Sequence, residues 1–222
     1  PQGYLAAMDS QKPPSALRDS VADLGSRWEI LDTGIAVKLY PSCAATHPPL
    51  DALLALKERH NLTAENIERI DVEVDSMTPR LLIYDRPSTS LEAKFSMPFC
   101  AAAAMVFGHP SIETFEPRRI QDSRVQRLVP AVALRTNSSF DAAAPLSQAK
   151  VIVTLKDGRV LEERADGARR YPGRLSAEEL ATIFMACARR SLTEDGAERA
   201  LAAVRAMESI SNVAELTKLL VG

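Results

Sequence analysis

Ten consecutive residues, 38–47 in "KLYPSCAATH", hold a lysine, a tyrosine, a serine, a cysteine, a threonine and a histidine. Together such side chains can neutralise an anion, donate hydrogen bonds and move a proton near neutral pH. Lys38 is the first candidate: an ordinary ammonium, with a pKa of about 10.4, stays charged at pH 7 and suits a carboxylate. His47 titrates closest to neutrality, at about 6.5. Its place before Pro48, Pro49 and a predicted helix equally suits a loop anchor. Cys43 has the chemistry of a nucleophile but no evident partner in the sequence, and reads as pocket lining. Ser42 and Thr46 are candidate carboxylate contacts. Further along, "IYDRP" offers Tyr84, whose phenol can hydrogen-bond a carboxylate or deliver a proton, and Arg86, which could also pair with Asp85.

Composition narrows the partners. The 222 residues carry a formal net charge of −2, with 46% hydrophobic and 25% charged residues, as in an ordinary globular chain. The most basic patch, "EPRRIQDSRVQR", has no interleaved aromatics, so nucleic acid is not expected. The longest apolar run, "MPFCAAAAMVFG", is too short for a membrane span. Cys43, Cys100 and Cys187 are scattered and never in CxxC spacing, and His47, His60 and His109 form no HxxxH pair. That pattern predicts no metal site and a reducing, cytoplasmic setting.

These residues need elements to hold them. Apolar positions over residues 50–60 predict a helix with Pro49 in its first turn. Ile70, Val72 and Val74 alternate with acidic residues and predict a strand after a short helical turn. A helix is expected over "TSLEAKFSMPFCAAAAMVFGHP", capped by Thr89 with Glu92, ended by Gly108 and Pro110, and kinked or started late at Pro98. Another is expected at residues 122–128. "AKVIVTLKDGRVLEER" predicts a hairpin, with Asp157-Gly158 as a type I′ turn, and "PAVALRT" a further strand. Residues 27–40 should begin extended, and a short helix is expected at residues 17–24. The end reads as three amphipathic helices, residues 177–191, 194–208 and 213–220, with a thin core of their own. The fold class is therefore α+β, with an all-α ending.

Three stretches carry a family likeness: "LGSRWEILDTGIAVKLYPSCAATHPPLDA", "ENIERIDVEV" and "YDRPSTSLEAKFSMPFCAAAAM". The combination of K-x-Y-P-S-C-x-x-T-H-P with A-K-F-S-x-P-[FY] resembles the MmgE/PrpD family, over roughly residues 24 to 222. The resemblance implies a two-domain enzyme. Residues 34–172 would form a two-layer α+β lid domain, and residues 173–222 helices belonging to an all-α domain. Residues 1–33 would be the connecting segment from an N-terminal helical half missing from this chain. It also implies a cofactor-independent lyase or isomerase acting on small di- or tricarboxylates, 2-methylcitrate dehydratase-like, with roles in propionate metabolism. Lys38 matches the family's active-site lysine, and Tyr84 lies where members place a site tyrosine. The implied partners are a small polycarboxylate substrate, the missing helical half and a second copy in a homodimer. The alternative is a non-catalytic α+β module for ligand binding or dimerisation.

Overall fold

Ile70, Val72 and Val74 share one face of β1 (Ile67–Val74) and are sealed from solvent, because that face lies against helices. The same alternation buries Ala149, Val151, Val153 and Leu155 on β3 (Ala149–Leu155). The two strands pair antiparallel, Val72 opposite Val151. β4 (Val160–Ala165) continues antiparallel on β3, while β2 (Val132–Thr136) joins the other side of β1 in parallel, Leu134 opposite Val72. The order is β2-β1-β3-β4. These coordinates are a computed structural model. It describes residues 24–26, 28–32, 34–143, 148–167 and 175–221. The chain divides into two compact units, Pro1–Ala36 and Val37–Gly222.

Two helices cover the buried face of the sheet. α1 (His47–His60) packs on β3 and β4, and α3 (Met97–Phe107) packs on α1, β2 and α4 (Ser123–Leu128). α3 is buried continuously from Met97 to Met105. A helix apolar all round belongs in the middle of a core, and four consecutive alanines let its neighbours approach closely. The opposite face of the sheet is polar. Asp71 accepts from Arg69 at 2.7 Å and Arg135 at 2.5 Å, and Lys150 pairs with Glu162 at 2.8 Å. The architecture is α+β, as the sequence pattern predicts.

Three local expectations are sharpened or corrected, and a fourth falls mostly outside the described residues. The helix expected from Thr89 to Gly108 is two. α2 (Ser90–Lys94) carries the Thr89–Glu92 capping box, and α3 starts afresh at Met97 with Ser96 as its own cap and Pro98 in its first turn. Asp157-Gly158 does not make a type I′ turn. That turn needs positive φ at both residues, and here Gly158 alone has it, at 87°. The Gly158 N–H donates to Leu155 O, and the Leu155 N–H to Arg159 O, which is a type I turn closed by a left-handed glycine. Residues 28–32 are not extended: Glu29–Asp32 is a helical turn, its adjacent Ile30 and Leu31 lacking strand alternation. The helix expected at residues 17–24 lies outside the described residues, apart from Leu24 in a turn.

The C-terminal helices are α5 (Ala177–Ala188), α6 (Glu194–Arg205) and α7 (Val213–Leu219). No residue of α5 is buried; Ala197 and Ala200 of α6 are fully so, and Leu216 of α7 is largely so. Arg190, just past α5, reaches the sheet-bearing part through Glu113 at 2.5 Å. Among the described residues no helix is long and apolar enough to cross a membrane.

Candidate functional site

Residues 37–46 form a strap without regular structure except its last turn, Ala44–Thr46, and lead directly into α1. Pro48 and Pro49 occupy the first turn of α1, where their missing N–H groups would have no helical acceptor anyway. The helix start therefore asks less of its cap, and Thr46, in that position, makes no side-chain cap bond. Its hydroxyl turns back to donate to Cys43 O at 2.8 Å. That uses the only proton Thr46 has, so at the 2.7 Å contact between the two hydroxyls Ser42 must be the donor. Ser42 is 3% exposed and Thr46 fully buried. Both candidate carboxylate contacts are thus spent inside the strap in this conformation.

Lys38 lies at the open end of the strap. Its side chain is exposed, and Nζ donates to Ser42 O at 3.0 Å. No carboxylate of the described residues pairs with it. A backbone carbonyl orients an ammonium without cancelling its charge, so Lys38 is a positioned and uncompensated cation. It opens on a cavity of about 270 Å3, whose walls also include His109 and Cys187.

His47 is fully buried at the start of α1, its ring edge-on to Tyr40 with centroids 5.0 Å apart. Tyr40 holds the strap down. It is 3% exposed, donates to Asp51 Oδ1 at 2.7 Å, and lies against the His109 ring at 4.7 Å. Sequence reasoning gave Tyr40 and Asp51 no role and noted His109 only as one of three scattered histidines. The aromatic inside "KLYPS" was the available signal for Tyr40, whereas nothing in the spacing joins it to His109, 69 positions on.

Cys43 is half-buried, and its N–H donates to Lys94 O at 2.9 Å. Cys100, below it in α3, is fully buried and donates to Ala93 O at 3.4 Å. Burial, with the nearby Cys43 second, pushes the Cys100 thiol far up, so it stays protonated and inert. All three cysteines are free thiols. Tyr84 is 36% exposed, and its N–H reaches Phe95 O at 3.5 Å. Arg86 is exposed and makes no ion pair with a described residue. The strap and the Tyr84 segment therefore hang on neighbouring carbonyls, Lys94 and Phe95, in the break between α2 and α3. "AKFS" acts here through its backbone. Lys94, a member of that motif, serves by its carbonyl.

A strap bearing an uncompensated lysine, and a tyrosine segment tied to the same helix break, are the arrangement on which the two sequence motifs converge. A profile of the MmgE/PrpD C-terminal domain matches residues 40–209. The chain belongs to the MmgE/PrpD family. It is 29% identical over 206 residues to the cis-aconitate decarboxylase of Mus musculus, covering 88% of this chain and 41% of that protein. For the cis-aconitate decarboxylase of Homo sapiens the identity is 28% over 205 residues, with 88% and 41% covered. For the cis-aconitate decarboxylase-like protein oryM of Aspergillus oryzae it is 24% over 211 residues, with 90% and 42% covered. The chain thus spans about two fifths of the length of these relatives. The MmgE/PrpD relatives matched are lyase-type enzymes by name.

Proposed function

We propose that this chain carries the Lys38 share of an active site in a lyase that acts on small di- or tricarboxylates. Decarboxylation of a cis-aconitate-like substrate is the first reaction to test, and dehydration of a 2-methylcitrate-like one the second. The observation that carries the reading is Lys38: an ammonium held by Ser42 O at 3.0 Å, with no carboxylate partner among the described residues. An uncompensated cation on an anchored strap binds a substrate carboxylate at little cost in reorganisation. Tyr84 supplies a phenol from a partly exposed residue on a segment tied to the same helix break. Loss of carbon dioxide leaves an electron pair on the carbon skeleton, which a proton must then meet. Loss of water needs a proton on the departing oxygen. A phenol or an ammonium can deliver either.

In this reading residues 34–172 act as the lid over substrate and residues 173–222 return to a helical body. The names of the relatives support the decarboxylase over the dehydratase. The test is turnover of cis-aconitate and 2-methylcitrate by the protein of the whole reading frame, with and without Lys38→Ala. Losing one transition-state charge contact should lower kcat by about a hundredfold or more. Unchanged turnover in Lys38→Ala would remove Lys38 from the site. Binding without turnover of any polycarboxylate would favour the ligand-binding module instead.

A further inference from the structure

Lys38 is the second residue of the Val37–Gly222 unit, so whatever fixes it within that unit lies after it in the chain. The strap that follows has no helix or strand to set its course before Ala44. The hydroxyl bonds of Ser42 and Thr46 stay inside the strap, and stiffen it without locating it on the fold. Leu39 packs on the core, a contact without preferred direction. The Cys43 N–H is tied to Lys94 O, but five residues on from Lys38. Tyr40, two residues on, supplies a directional side-chain link: its O–H donates to Asp51 Oδ1 of α1 at 2.7 Å. Tyr40 is buried, where a hydrogen bond is costly to leave unmade. A phenol donating to a carboxylate at this distance makes one of the stronger hydrogen bonds a protein contains. The His47 and His109 rings lie against the phenol ring, with centroids 5.0 and 4.7 Å away, and limit its swing. Pro41 restricts the backbone of Tyr40, so fixing its side chain also fixes the direction of the strap.

We propose that Tyr40 and Asp51 are positioning residues for the reaction at Lys38: their hydrogen bond sets where the ammonium stands. Tyr40 is buried and Asp51 half-buried, so they act on a substrate through Lys38. Tyr40 stands between the Lys38 backbone and Ser42, whose carbonyl accepts from the ammonium at 3.0 Å. Releasing the phenol therefore lets the lysine and the carbonyl that orients it move together. Placement of this kind matters to rate, since a shift of about 1 Å at a reacting group can cost about a hundredfold. The inference rests on Lys38 as the cation that meets a substrate carboxylate, the reading given above.

A position readout and a rate readout together test it. In the 222-residue chain carrying carbon-13-labelled lysine, the Lys38 side-chain NMR signal, assigned by its loss in Lys38→Arg, reports where the ammonium stands. Tyr40→Phe keeps the ring and removes the hydroxyl, and should move that signal while the other lysine signals stay in place. Asp51→Ala should move it likewise. Asp51→Asn, whose amide oxygen still accepts, should bring it back towards its original position. In the protein of the whole reading frame, Tyr40→Phe and Asp51→Ala should each lower kcat/KM for cis-aconitate by about ten- to a hundredfold. Asp51→Asn should recover most of that loss. The double variant Tyr40→Phe, Asp51→Ala should lose no more than the larger single loss, because both changes break one bond. An unmoved Lys38 signal in Tyr40→Phe overturns the inference whatever the turnover, and so does a shift of all lysine signals together, which would mean a packing role. Unchanged turnover in Tyr40→Phe where Lys38→Ala is inactive also overturns it, and leaves the enzymatic reading standing. Unchanged turnover in Lys38→Ala is the separate failure: it removes the enzymatic reading, and the positioning role with it.

Discussion

The hydroxyls of Ser42 and Thr46 illustrate how a reactive residue type can serve geometry. Ser42 donates to Thr46, Thr46 donates to Cys43 O, and Ser42 O in turn accepts from Lys38. The chain of bonds runs from a buried turn to an exposed ammonium. Thr46→Val keeps the shape and removes the middle link. It leaves a buried hydroxyl and a carbonyl without their partner, a loss of about 1–3 kcal/mol of stability. Urea unfolding measures it, and the Ser42→Ala, Thr46→Val double variant should lose less than the two singles added. Additive losses would mean that the two hydroxyls act separately. Lys38 was legible in the sequence because a motif surrounds it. The inward turn of Ser42 and Thr46 was not, since it depends on two prolines relieving the helix start of its need for a side-chain cap. Tyr40 was hidden for another reason: its partners, Asp51 and His109, come from different elements.

At the scale of elements, the break between α2 and α3 matters most. The sequence shows two N-terminal signals in "TSLEAKFSMP", Thr89 with Glu92 and then Ser96 before Met97-Pro98, and both are used. Each helix start follows from its own cap, and the break between them frees the carbonyls that hold the strap and the Tyr84 segment. Ser96 is fully buried and accepts from the Phe99 N–H at 3.2 Å. Ser96→Ala should therefore cost about 1–2 kcal/mol, at the upper end for a cap. Restoration by Ser96→Thr or Ser96→Asp would identify the cap bond as the cause, whereas equal losses in all three variants would point to packing. The strands were read correctly from alternation. The hairpin turn was read one residue off, because "DG" fits both a type I′ pair and a type I turn closed by glycine. Only the φ of Asp157 decides between them, and composition does not fix it.

Across the molecule, burial is divided unequally. α3, β1 and β3 are nearly closed to solvent, whereas α5 contributes no fully buried residue and Leu180, Val204, Met207 and Val213 remain exposed. Helices this short gain little from propensity alone and depend on what they bury. The C-terminal helices are capped well, by Ser176 with Glu179, by Thr193 and by Asn212, so each starts cleanly while their shared core stays thin. Their link through Arg190 and Glu113 is an ion pair with both side chains more than two fifths exposed, worth little in water. Local opening should follow this division. Amide hydrogen exchange of the 222-residue chain should be slowest in β1, β3 and α3, near the global unfolding limit, and faster by orders of magnitude in α5, α6 and α7. Uniform protection across the chain would show that the C-terminal helices unfold together with the sheet, and that the exposed apolar positions do not weaken them.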